Sequence, residues 1–380
     1  MFNLLQMFRS TSPADRLYHT IRYDLIYKVT HLHARISKAI GHPHEPQLVL
    51  IMFRATQQLR NKMALKPINL ILDWDGTITA KDTMFAYGKI ADIRDARLNR
   101  EQNGPKMFEG FGKAWIDDYS KHEQAYKPRA HERNAVAEES AWLKSLSSVE
   151  TSSAERVESS GFFAGVTHSD IATAAKELLE DSAVTLRPGW QDLFLRAQGG
   201  RSPRLISNIS ILSVNWSESF IRASLKAAAQ SVVPDGRLLA TLDHLTIAAN
   251  EISGIHEPGG SSGRLTDANH ATIRTSFDKL HNFPSRERYL NVYVGDSATD
   301  FDSLLAADLG ICIRDDPMGS SSKTLAETMS RVGQEVQHID RIKAWQQLST
   351  SKSNVLWAQD LAEIVSLLGR LQGEPADGQS

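Results

Sequence analysis

The chain has 380 residues, 41% of them hydrophobic and 23% charged, with a formal net charge of −2. That length supplies core for two or three domains, and that composition excludes a chain that is disordered throughout. Without a long basic run no nucleic-acid partner is implied, and without a long apolar run no membrane partner.

In chain order, residues 1–66 read as an N-terminal helical extension. Arg9, Arg16, Arg22, Lys28 and Arg35 outnumber Asp15 and Asp24 there, which resembles a mitochondrial presequence. The pattern Leu17, Ile21, Leu25, Val29 and Leu32 reads instead as one apolar helix face, and that is the reading adopted. The start lacks the apolar block of a secretory signal, so a cytoplasmic location is expected. The pairs His31/His33 and His42/His44 have no partner at a metal-ligand spacing and read as solvated.

After the breaker Pro67, the run Ile68-Asn69-Leu70-Ile71-Leu72 predicts a buried strand that ends at Asp73-Trp74-Asp75-Gly76-Thr77. Residues 81–185 change character. Helix formers and aromatics dominate (Met84, Phe108, Phe111, Trp115, Tyr119), with a Ser/Glu-rich stretch from Ser145 to Ser160 expected to be a loop. From residue 186 to 372 helices and strands alternate. Strands are predicted to end at Leu205-Ile206-Ser207 and to run over Leu245–Ile252, Leu290–Val294 and Leu309–Ile313; helices are predicted over Trp216–Ala229, His270–Leu280 and Phe301–Ala307. The lone cysteine, Cys312, sits in the last of those strands as a small hydrophobe and fits a reducing compartment. Residues 373–380 read as a disordered tail.

This alternation predicts an α/β fold, a doubly wound parallel sheet formed by residues 67–80 and 186–372. An insert of about a hundred residues is far longer than the usual βα connection of about 2–6. Ligands bind at the carboxyl ends of parallel strands, so the helical insert is expected to sit over the site as a cap.

Asp73 follows five residues of a buried strand, where a lone carboxylate is costly to desolvate and a cation offsets the cost. Gly295-Asp296-Ser297-Ala298-Thr299-Asp300 brings two more carboxylates to another strand end. Four acids at two strand ends make a hard-oxygen site suited to Mg²⁺. Ser207, with the N–H of Asn208 behind it, and Lys279 offer donors and charge for phosphoryl oxygens, although Lys226 and Lys323 are rivals by spacing alone.

Together, Asp73-Trp74-Asp75-Gly76-Thr77, Ser207, Lys279 and Gly295–Asp300 resemble the four ordered motifs of the haloacid dehalogenase (HAD) superfamily, in its phosphoserine-phosphatase-like group. The resemblance covers about half the chain. It implies a Mg²⁺-dependent phosphatase acting on a small phosphorylated metabolite. Asp73 is then the nucleophile that forms an aspartyl-phosphate, and Asp75 the general acid and base, aimed by Thr77. Thr77, Ser207, Asn208 and Lys279 bind the phosphoryl group. Asp73, Asp75 (through its carbonyl), Asp296 and Asp300 hold or support the metal. Phosphoserine phosphatases usually carry Ser-Gly-Gly where this chain has Ser207-Asn208-Ile209, which argues against phosphoserine as substrate. The alternatives are a phosphotransferase or mutase of the same fold, or a non-catalytic binding protein that retains it.

Overall fold

A computed structural model describes residues 67–197, 206–231, 236–265, 272–342 and 354–372. The expected N-terminal extension, its histidines and the C-terminal tail lie outside the described residues.

Ile68–Leu72 forms β1, with all five residues buried. The sheet is completed by β2 (Ile206–Leu212), β3 (Thr246–Ala248), β4 (Leu290–Gly295), β5 (Leu309–Ile313), β6 (Gln337–His338) and β7 (Val355–Ala358). The order is β3-β2-β1-β4-β5-β7-β6, with every neighbouring pair parallel. β1 is therefore central, and both its faces are covered. Ile68, Leu70 and Leu72 pack in one core with Val292, Val294 and Ile311; Ile71 packs in another with Tyr293 and Cys312. Successive side chains of a strand alternate sides, so two cores on one strand mean helices on both faces.

The first face is covered by α6 (Trp190–Arg196), α7 (Glu218–Ser231), α8 (Gly236–Asp243) and α12 (Leu361–Gln372). The second is covered by α3 (Val136–Ser145), α10 (Phe301–Ala306) and α11 (Ser320–Arg331). The short α9 (Ser276–His281) is capped by Thr275, whose side chain accepts from Asp278 N–H while Asp278 accepts from Thr275 in return. It begins six residues later than the predicted helix, because this capping box sets its start.

Between β1 and β2 the described chain is helical: α1 (Ala86–Arg97), α2 (Gly104–Ala125), α3, α4 (Ser147–Ser159), α5 (His168–Glu180) and α6. The Ser/Glu-rich stretch expected as a loop is α4. Val149, Ser153, Ala154 and Val157 form its buried face, so helical spacing outweighs polar composition there. Tyr87, Ile90, Val157, Phe163, Ile171 and Phe220 share a third core. The two crossings that join the insert to the sheet lie side by side: Ala80 N–H donates to Thr185 O, and Arg187 N–H to Ile78 O. No described helix is long and apolar enough to cross a membrane.

Candidate active site

Because β1, β2 and β4 run parallel, their carboxyl ends meet at one edge, and each is followed by a polar residue. Asp73 continues β1 with its N–H bonded to Val294 O at 2.9 Å. Asp296 follows β4, and Ser213 follows β2 with its N–H bonded to Ala248 O.

Asp73, Asp296 and Asp300 bring carboxylate oxygens within 4.8 Å of one another, all buried. Lys279 Nζ lies between two of them, 2.9 Å from Asp73 Oδ1 and 2.6 Å from Asp300 Oδ1. Asp300 is fully engaged by protein donors: Tyr293 OH also reaches Oδ1, while the N–H groups of Asp296 and Ser297 and the Ser297 hydroxyl reach Oδ2. It holds Lys279 and the turn carrying Asp296 rather than offering a free oxygen. Asp296 accepts from Thr77 Oγ1 at 3.1 Å. Asp73 Oδ1 is a buried oxygen with no aligned hydrogen bond.

These groups are electrostatically frustrated as a set. Burial first, then the Asp300 charge, pushes Asp73 up to about 8. The same two causes push Asp296 well above the usual carboxylate range. Burial would lower Lys279, but the charges of Asp300 and Asp73 outweigh it and raise it. Three carboxylates against one ammonium leave two negative charges uncompensated when all are ionised, which one divalent cation balances. The clustered, all-oxygen donor set fits a hard cation such as Mg²⁺.

Glycine is required where these loops touch. Gly76 has φ +70°, and a Cβ there would lie 2.3 Å from Asp296 Oδ2. Arg187, returning from the insert, donates to Gly76 O through Nε and Nη2 and pairs with Asp315.

Asp75 sits in a different environment. Thr83 donates to its Oδ1 through N–H (2.7 Å) and hydroxyl (2.5 Å), and Asn215 Nδ2 donates to Oδ2 at 2.8 Å. Tyr87 OH in turn donates to Asn215 Oδ1 at 2.6 Å, which fixes the amide's orientation. Burial first, then the Asp82 charge, raises Asp75 to about 6.

Three expectations need correction. Thr77 does not aim Asp75; its hydroxyl is on Asp296, and Thr83 takes that role, so Thr77 supports an acid rather than a phosphoryl group. Ser207 and Asn208 lie at the wrong end of β2. Asn208 registers with Asn69, and their side chains bond at 2.7 Å, four residues before Asp73 and roughly 13 Å back along the strand. The serine at the carboxyl end is Ser213, fully buried, whose Oγ accepts from Asn215 N–H. The segment Ser213-Val214-Asn215 also lacks the two glycines, so the departure from the phosphoserine pattern persists. Among the lysines, Lys279 is the one in the site. Lys226 pairs with Asp243, and Lys323 is exposed.

No family model matches the chain. It is 26% identical over 201 residues to the Bifunctional TH2 protein, mitochondrial, of Arabidopsis thaliana, over 50% of the chain and 27% of that protein. The chain therefore spans about a quarter of the length of this curated relative. Solved structures similar to it include a phospho-aspartyl intermediate analogue of phosphoserine phosphatase (14% identity, TM-score 0.40, 79% of this chain and 98% of that one). Another is a phosphoserine phosphohydrolase-like protein from Francisella tularensis (16% identity, TM-score 0.31, 79% and 98%). At those scores the likenesses carry no weight of their own. The α/β class rests on the strand order and the two-sided packing seen directly in the chain.

Proposed function

We propose that the chain is a Mg²⁺-dependent phosphatase that hydrolyses a small phosphorylated metabolite through an aspartyl-phosphate on Asp73. The carrying observation is that the two acids of one turn are held in opposite ways. Asp73 faces the Lys279 ammonium through Oδ1 at 2.9 Å within the carboxylate cluster, while Asp75 is clamped by Thr83 and Asn215.

Asp73 attacks phosphorus, forming the O–P bond as the bond to the leaving oxygen breaks. Asp75 gives its proton to that oxygen, then takes one from the water that cleaves the aspartyl-phosphate. A carboxyl raised to about 6 suits both roles near neutrality. Lys279 and the Ser213 hydroxyl neutralise and orient the phosphoryl oxygens. Asp73 and Asp296 would hold Mg²⁺ together with the Asp75 carbonyl, and Asp300 supports them through Lys279. Bound Mg²⁺ supplies the charge that lets a carboxylate and a phosphate approach. The insert of residues 81–185 acts as the cap.

Phosphate release from p-nitrophenyl phosphate tests this. EDTA should abolish it and Mg²⁺ restore it, with Ca²⁺ a poor substitute because its coordination is larger and looser. Full activity in excess EDTA would sink the mechanism.

A further inference from the structure

The insert carries more aromatic surface than its own packing uses. α2 runs for 22 residues, and its only buried residue is Gly104. Phe108, Phe111 and Trp115 follow one another at helical spacing on it, which would ordinarily mark a core face, yet all three are half-buried. They line a cavity of about 290 Å³ with Met84, Trp216 and Thr299.

This cavity adjoins the site already described. Thr299 lies in the turn between Asp296 and Asp300, and Trp216 adjoins Asn215, which clamps Asp75. The rings are held edge-on by neighbours. Phe108 meets Trp216 at 69° with centroids 5.9 Å apart, and Phe111 meets Phe162 at 85° and 5.3 Å. Such pairs fix ring orientation. A second cavity, of about 480 Å³, shares Trp115, Glu150 and Thr299 with the first. Its arginines are already satisfied, since Arg133 and Arg331 both pair with Glu139.

Resting on the phosphatase reading, we propose that the substrate's organic part is an aromatic ring system, seated among Phe108, Phe111, Trp115 and Trp216 while its phosphate lies at Asp73. Asp82, Glu150, Arg274 and Thr299 give the wall a few polar points, but most of it is aromatic or aliphatic, so a polyol would strip water from most of its hydroxyls without gaining partners. A flat ring loses no such hydration and stacks or packs edge-on against the aromatics. The volume sits at the low end of ligand pockets and suits one or two fused rings rather than a nucleotide. Glu150, which accepts from Trp115 Nε1 at 2.9 Å, and Arg274 supply polar points at the wall for ring substituents.

The test compares kcat/KM with Mg²⁺ for esters whose leaving groups are all primary alcohols: 2-phenylethyl phosphate, 2-(indol-3-yl)ethyl phosphate, n-butyl phosphate and phosphoserine. Acetyl phosphate serves as a ring-free reporter of the chemistry. The two aryl esters should exceed butyl phosphate and phosphoserine by tenfold or more. Gly112→Leu should collapse that ratio by tenfold or more, because Gly112 lines the same cavity and a Cβ there meets nothing within 4 Å. Phe111→Ala should reduce the ratio by enlarging the cavity instead of filling it. Turnover of acetyl phosphate with no aryl preference, or a preference that survives both variants, overturns the aromatic assignment and leaves the phosphatase reading standing. No turnover of any of the five compounds overturns both.

Discussion

Stripping the site of divalent cation should make the protein's stability fall as pH rises through neutrality. The reason is proton linkage. Asp73 is raised from 3.8 to about 8, so between those values the folded protein holds a proton that the unfolded chain has released. Where the folded state binds more protons, stability decreases with pH, by about 1.4 kcal/mol per unit for one full proton. The stabilisation is complete below the unfolded value and is lost as pH climbs to about 8. From pH 6 to pH 8 the loss from Asp73 alone is roughly 2 kcal/mol, which corresponds to a fall in Tm of roughly 5 °C for a domain of this size. Asp296 acts in the same direction, whereas Lys279 is raised and stays charged throughout. Added Mg²⁺ should recover more stability at the higher pH, where it displaces fewer protons. Calorimetry in EDTA and in Mg²⁺ at both pH values checks this, with Asp73→Asn as the variant that should flatten the EDTA series. A Tm in EDTA that is level or rising over this interval, or an equal slope in Asp73→Asn, would refute the account of a charge-frustrated carboxylate cluster.

Three further outcomes follow from the same geometry. Asp75→Asn should still be phosphorylated by p-nitrophenyl phosphate, whose leaving group needs little protonation, but should hydrolyse the intermediate roughly 10²–10⁴-fold more slowly. Acid-quenched intact mass should then show one phosphoryl group, mapped to Asp73 and absent from Asp73→Asn. Asn215→Ala removes a hydrogen bond to a charged group, worth about 1.5–3 kcal/mol, so kcat should fall by roughly 10–150-fold. That bond favours the ionised form of Asp75, so the acidic limb of the pH–rate profile should move above about 6; an unmoved limb counts against Asn215 as a positioning residue. Gly76→Ala drives a Cβ into Asp296 from a left-handed backbone, and the Mg²⁺ concentration for half-maximal activity should rise tenfold or more. An unchanged Mg²⁺ titration would show that Asp296 does not hold the ion.

How legible the site was depended on the strand that carried each part. β1 and β4 each carry three apolar residues, Leu70–Leu72 and Val292–Val294, close before a carboxylate, so Asp73 and Asp296 could be placed at strand ends from the sequence, and the structure brings them together with Lys279 and Asp300. β2 misled because polar residues interrupt it. Asn208 is spent on a side-chain bond to Asn69, and Ser210 is buried within the strand, so the apolar run seemed to end six residues before Ser213. Thr83, Tyr87 and Asn215 carried no local signal at all. Thr83 and Asn215 meet Asp75 from separate segments, with Tyr87 behind Asn215, and only the packing of the start of α1 against the segment after β2 reveals them. The short β6 and β7 were missed for a similar reason, since two to four residues are too few for periodicity to show.

The grip of Arg187 on Gly76 also bears on how the chain comes to be folded. One guanidinium ties the turn after β1 to residues 111 positions later and, through Asp315, to a segment another 128 positions on. Contacts that distant in sequence form late, because closing the intervening loops costs entropy before any contact is gained. The turn that carries Asp75 is thus finished only when both the insert and β5 are in place. A partly synthesised chain would own the nucleophile long before it owned the turn that makes the residue useful.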